Sequence, residues 1–163
     1  MPTTTLYLVR HAKAADRYEW TGRDRDRPLT DKGRKQAAWL AAALAGEPLA
    51  VVAASPWLRC RQTAEPIAAA AGLEVTVDPR LGYDEPDVGG WVAEALKAGP
   101  ASGSLVAVGH GDLLPEFLAR EGLVRGYPGF RTGSLFKVQV TDGRMGPVTS
   151  VDRAELRELA ERG

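Results

Sequence analysis

The chain contains two histidines, and each stands where an apolar run ends. Leu6-Tyr7-Leu8-Val9 runs into Arg10-His11-Ala12, and Leu105-Val106-Ala107-Val108 runs into Gly109-His110-Gly111. Each imidazole is therefore expected at the carboxyl end of a buried strand. If the two strands are parallel neighbours, both rings face one crevice, the place where open α/β sheets bind ligands. A third polar cluster, Ser55-Pro56-Trp57-Leu58-Arg59-Cys60-Arg61-Gln62-Thr63, follows another apolar run. With Ser55 as N-cap and Pro56 at the first helical position, Arg59 falls in the first turn of a helix, beside N–H groups that have no helical partner. An anion is favoured there. The spacing puts Arg59, Gln62 and Thr63 on one face of that helix and turns Cys60 and Arg61 away.

Alternating strand and helix patterns supply the scaffold for these residues. Residues 4–9 read as a first strand. A helix follows from about Thr30 to Ala45, with Ala37, Leu40, Ala41 and Leu44 on one face, Thr30 as cap and Gly46 as terminator. Leu49 to Ala54 is a second strand, leading to a helix from 56 to about 71 that Gly72 closes. Residues 73–77 alternate as a short strand, 78–90 read as a loop rich in Asp, Pro and Gly, and a short helix is expected around 91–98. The strand at 104–109 leads to a helix carrying Leu114, Phe117 and Leu118, with Pro115 tolerated in its first turn. Residues 134–140, the Asp142-Gly143 turn and residues 147–151 suggest an edge hairpin, and Asp152 with Glu155 starts a C-terminal helix. This order predicts a three-layer α/β/α fold with a mainly parallel sheet and an antiparallel edge hairpin.

At 163 residues the chain reads as one domain spanning 1–163, long enough to bury roughly two thirds of its unfolded surface. Its 21 basic residues balance its 21 acidic ones, so no nucleic-acid or anionic-membrane partner is implied. No apolar stretch approaches the ~20 residues of a membrane helix, and residues 1–10 lack signal-peptide features, so the expected location is cytoplasmic. Cys60 has no second cysteine to pair with, and one cysteine with two distant histidines does not make a structural zinc site. The bland reading of Cys60 is a packed thiol. Trp20, Trp39, Trp57 and Trp91 read as packing aromatics.

Four groups of residues resemble successive motifs of the histidine phosphatase superfamily, which has the phosphoglycerate mutase-like fold. They are Leu8-Val9-Arg10-His11-Ala12; Arg27-Pro28-Leu29-Thr30 with Gly33 and Gln36-Ala37; Ser55-Pro56 with Arg59 and Gln62-Thr63; and Val108-Gly109-His110. The Arg-His-Ala-Lys-Ala opening is similar to that of the small SixA-like phosphohistidine phosphatases. Trp20-Thr21-Gly22, Arg59-Cys60 and Glu65-Pro66 are similar to the phosphatase domain that some bacteria fuse to a Nudix hydrolase.

The resemblance implies that His11 is a nucleophile that accepts a phosphoryl group and passes it to water. A neutral imidazole can do this near pH 7, and the division into two steps lowers each barrier. Arg10 and Arg59 would grip the phosphoryl oxygens with planar forks, and a protonated His110 would add a further donor. No metal or other cofactor is called for. The family supplies a leaving-group acid after the third strand, where Asp84 and Glu85 are the candidates. Gly111, Arg27, Thr21, Gly22 and Ser134 are the further candidates for binding substrate. For Ser134, within Thr132-Gly133-Ser134, a turn into the next strand is the alternative.

The bland reading of Arg23-Asp24-Arg25-Asp26-Arg27 is a solvated, self-paired loop, and the functional one is contact with a second phosphate or an acidic surface. Gly33 costs up to ~1 kcal/mol in a helix, so it either permits close packing near the site or lies in a frayed turn. The expected substrate is phosphohistidine on a protein or a small phosphorylated molecule. A phosphomutase and a noncatalytic phosphate-binding module are the competing classes.

Overall fold

Alternation in the first strand sets the layering. In β1 (Thr3–Arg10), Leu6 and Leu8 enter one core while Tyr7 and Val9 enter the other, because successive side chains leave a strand on opposite faces. The computed structural model describes residues 3–98, 103–126 and 129–163. Around β1 the sheet is completed by β2 (Leu49–Ala54), β3 (Val75–Val77), β4 (Ser104–Gly109), β5 (Leu135–Thr141) and β6 (Arg144–Val151), in the order β3-β2-β4-β1-β5-β6. The β1–β4, β2–β4 and β2–β3 pairs are parallel, and β5 and β6 are antiparallel additions at one edge. The edge hairpin turns at Asp142-Gly143, both at positive φ, as a two-residue type I′ turn requires.

Helices cover both faces. The Tyr7–Val9 side packs on α1 (Asp31–Leu44), α2 (Leu58–Ala70) and α5 (Arg153–Arg162) through Leu40, Leu44, Ala64, Ile67 and Leu156. The Leu6–Leu8 side packs on α3 (Val88–Ala98) and α4 (Leu113–Arg120) through Trp91, Val92, Leu114, Phe117 and Leu118. The result is the three-layer α/β/α architecture expected from the pattern. No helix among the described residues is long and apolar enough to cross a membrane.

Several local boundaries differ from the expectation, among them that of β6, which starts at Arg144 rather than Pro147. The second helix starts at Leu58, not 56, because the Ser55 hydroxyl turns toward His110 and Trp57 occupies the N-cap position without a side-chain cap bond. The third helix starts at Val88, three residues early, because the Asp87 carboxylate accepts the Gly90 N–H and its carbonyl accepts that of Trp91. β3 is shorter than residues 73–77, covering 75–77. The register of β1 on β4 matters most for function. Arg10 lies opposite Gly109, so His11 and His110 leave adjacent parallel strands at the same level.

Candidate active site

The backbone of His11 is fixed from both sides. Its N–H donates to the Gly109 carbonyl at 3.0 Å, and its own carbonyl accepts from Gly133 at 3.1 Å. In the side chain, Nδ1–H donates to the Ala12 carbonyl at 2.8 Å, since a carbonyl can only accept. The neutral ring therefore carries its lone pair on Nε2. Burial pushes the His11 pKa down to about 3, against the Ala12 hydrogen bond, with the positive charges of Arg59, His110 and Arg10 adding to the fall. At neutral pH the ring is neutral.

The segment after His11 is pinned by the residues that carry the sequence motifs. The Thr63 hydroxyl accepts the Ala12 N–H, Gln36 Oε1 accepts that of Lys13, and the Lys13 carbonyl accepts from Thr30 N–H. Gln62 Oε1 accepts from Leu29 N–H, and Ala14 bridges to Leu29. Gly33 is required here, because a Cβ on it would come within 2.0 Å of the Lys13 carbonyl oxygen. Close approach rather than fraying explains this glycine. Thr30 caps α1 by accepting the Gly33 N–H, as expected.

Arginines surround His11. Arg10 donates to the Phe130 carbonyl. Arg59, almost fully buried, donates from its two terminal nitrogens to the Asp24 carbonyl at 3.0 Å and to Asp24 Oδ2 at 3.2 Å. Arg27, also buried, donates to Asp24 Oδ1 at 3.1 Å and to the Ala15 carbonyl. Burial acts to raise the Asp24 pKa, but Arg59 and Arg27 outweigh it and hold the carboxyl below its usual value. The 23–27 loop is thus partly self-paired, as its bland reading holds, yet Asp24 reaches across 35 residues to hold Arg59.

His110 is completely buried, its ring centroid 5.8 Å from that of His11 and 4.1 Å from that of Tyr83. Its Nε2 pairs with the Ser55 hydroxyl at 2.9 Å and lies 3.7 Å from Cys60 Sγ, while its buried Nδ1 has no hydrogen-bond partner. The Ser55 oxygen also accepts the Trp57 N–H at 3.3 Å; with its own hydrogen directed to Nε2, a neutral His110 carries its proton on Nδ1. The expected protonated His110 is corrected for this structure. Burial, with Arg59 and Arg10 nearby and only Asp24 opposing them, pushes its pKa down to about 3. Cys60 faces this ring rather than turning away from it, and burial pushes its thiol up to about 12. It is a packed thiol.

A cavity of about 350 Å³ opens beside His11, lined by Arg10, Lys13, Arg17, Arg27, Arg59, Tyr83, Gly111, Asp112 and Thr132 among others. Of the expected residues, His11, Arg10, Arg59, Arg27 and Gly111 meet there, with His110 buried behind Tyr83. Gly111 is fitted closely to Arg10, since a Cβ there would come within 2.5 Å of Nε. Asp84 and Glu85 are exposed and outside the lining, and the Asp84 carboxylate is held by Arg25 at 2.8 Å. Thr21 and Gly22 are also exposed and outside it, with Gly22 set against the Trp20 ring. Ser134 is buried away from the cavity, where its hydroxyl bonds Asp152 and the Arg153 N–H, so the turn reading fits it.

Sequence reasoning passed over Asp24, Tyr83, Asp112 and Arg17, and gave Ser55 only a capping role. The Tyr83 hydroxyl donates to Asp112 Oδ1 at 2.8 Å, and the same oxygen accepts the Leu113 N–H. Asp112 carried a faint signal, two residues after a strand-end histidine. Among the described residues no group of three or more His, Cys, Asp or Glu side chains is arranged to hold a metal.

Known proteins share both the fold and parts of the sequence. The chain is 30% identical over 149 residues to an 8-oxo-(d)GTP phosphatase of Mycolicibacterium smegmatis, a match covering 88% of this chain and 46% of that protein. It spans less than half the length of that relative and 36% of a probable phosphoglycerate mutase GpmB of Photorhabdus laumondii, 37% identical over 81 residues. A solved structure of the protein histidine phosphatase SixA complexed with tungstate superposes with a TM-score of 0.76 at 27% identity, covering 94% of this chain and 99% of that one. Phosphoglycerate mutase from Bacillus anthracis superposes at 0.79 with 16% identity, covering 96% of each chain, which shows the shared fold. The family model for the histidine phosphatase superfamily (branch 1) matches residues 6–98, more than half of the chain, so this protein belongs to the histidine phosphatase superfamily.

Proposed function

We propose that this protein is a phosphatase in which His11 Nε2 takes a phosphoryl group from the substrate and yields it to water. The observation that carries this reading is the hydrogen bond from His11 Nδ1 to the Ala12 carbonyl, which leaves a neutral Nε2 lone pair beside an arginine-lined cavity. Arg10, Arg59 and Arg27 then neutralise the phosphoryl oxygens, and preorganised positive charge of this kind is usually the largest catalytic contribution. The unpartnered Nδ1 of His110, on a ring whose centroid lies 5.8 Å from that of His11 just behind the lining, is the further donor within reach of that group. Asp112, the carboxylate on the lining, is an acceptor suited to take the proton of the attacking water, a task that Asp84 and Glu85 are not positioned for.

The likeness to SixA supports a phosphohistidine side chain as donor, and the relative from Mycolicibacterium smegmatis supports a nucleotide. Both deliver the same group to the same nitrogen. The first test is hydrolysis of 4-nitrophenyl phosphate in the presence of a chelator. The wild type should turn it over, and His11→Ala should lose at least ~10³-fold in kcat. Asp112→Asn should release a burst of nitrophenol and then slow, as the phosphoenzyme accumulates. A wild type with no turnover favours a phosphate-binding module, and an active His11→Ala removes His11 from the mechanism.

A further inference from the structure

The cavity holds more positive charge than one phosphoryl group uses. Arg27 and Arg59 share the Asp24 carboxylate behind them, whereas Lys13 and Arg17, on the same lining, have no ion-pair partner among the described residues. The whole chain is neutral, so this excess is local and belongs to the mouth of the site. Lys13 is also not free to drift. Gln36 holds its N–H, Thr30 donates to its carbonyl, and Gly33 packs against that carbonyl, so its side chain starts from a fixed point two residues beyond His11. Arg17 follows on a segment tied down by the Ala15 N–H to the Pro28 carbonyl at 2.9 Å.

We propose that Lys13 and Arg17 form a second anion subsite that holds the inner phosphate of an organic diphosphate while its terminal phosphoryl group is transferred to His11. The proposal rests on the phosphatase reading above and names its substrate class. In the first step the Nε2 lone pair forms the P–N bond as the bridging P–O bond breaks. The electron pair leaves on the bridging oxygen, and the product is an organic monophosphate. Such an oxyanion is weakly basic and departs without a proton donor, which matches a site whose lining excludes Asp84 and Glu85 and whose Asp112 acts as an acceptor. In the second step water attacks phosphorus, the P–N bond breaks with its electron pair returning to Nε2, Asp112 takes the proton and orthophosphate leaves.

Binding of a nonhydrolysable diphosphate separates this subsite from the chemistry. Calorimetry should show methylenediphosphonate binding the wild type about tenfold or more tightly than orthophosphate, the factor that one added charge-assisted contact supplies. Lys13→Ala/Arg17→Ala should abolish that preference and move orthophosphate affinity far less. Added salt should shrink the preference in the wild type, since the pair is solvent-facing. Equal affinity for the two anions, or a preference that survives in the double variant, overturns the subsite. So does a kcat/KM that favours an acidic phosphohistidine peptide over phenyl diphosphate. Because binding needs no turnover, a protein that discriminates between the anions but hydrolyses neither phenyl diphosphate nor 4-nitrophenyl phosphate keeps the subsite and sinks the phosphatase reading.

Discussion

His11 and His110 are both buried and both neutral, yet they present opposite nitrogens. His11 commits Nδ1 to a carbonyl and keeps Nε2, whereas His110 commits Nε2 to a hydroxyl and keeps Nδ1. The pattern suits one ring to nucleophilic attack and the other to donation without an added proton. An acid limb arising from either histidine is therefore absent between pH 5 and 7 in kcat/KM, once the substrate's own ionisation is corrected for. The expectation of a charged His110 gives way to this. Ser55 is the residue to change. Ser55→Ala removes the donor that fixes the His110 tautomer and should lower kcat by about a hundredfold, the usual effect of losing one oxyanion donor. Steady-state kinetics on a variant with unaltered circular dichroism checks this, and full kcat in that variant removes Ser55 from the site.

The elements that place these residues were readable to different degrees. Two apolar runs marked β1 and β4, and Thr30 announced the start of α1, because burial and capping are local signals. The contacts of Asp24 with Arg59 and of Tyr83 with Asp112 join residues far apart in the chain, each with at least one partner in a loop, and no periodicity reports such partnership. Ser55 was misjudged for a related reason. A favoured N-cap residue beside proline looks local, while its hydroxyl answers to a histidine 55 residues away. Gly33 shows how an element enforces the site. Gly33→Ala forces α1 off the Lys13 carbonyl, an overpacking that should cost about 1–3 kcal/mol and lower kcat along with Tm. Gly46→Ala, with open space around its Cβ, is the control expected to keep both. Unchanged kcat in Gly33→Ala would mean that the helix does not set the position of the segment beyond His11.

At the scale of the molecule, the two neutral histidines link folding to pH. Each has a folded pKa pushed down to about 3 from an ordinary value of 6.5, so below pH 6.5 the unfolded chain binds protons that the folded one refuses. Their contribution to stability is present above pH 6.5 and declines as pH falls toward 3. The slope approaches ~1.4 kcal/mol per pH unit for each ring. Urea unfolding at pH 7, 6 and 5 should show this loss, in a window above the carboxylate range, and His11→Gln should flatten it by about half. A midpoint that does not move from pH 7 to 5 would mean that the rings are protonated in the folded protein.

The fold brings two strand ends, a helix start and an arginine loop to one cavity, and the most direct test of their purpose is the chemical fate of His11. Rapid mixing with 4-nitrophenyl phosphate, an alkaline quench that preserves phosphohistidine, and peptide mapping by mass spectrometry should find one phosphoryl group on the peptide containing His11. NMR of that peptide should assign it to Nε2. A phosphoryl group on His110, on Nδ1 of His11, or on neither histidine while nitrophenol is being released would contradict the proposed nucleophile.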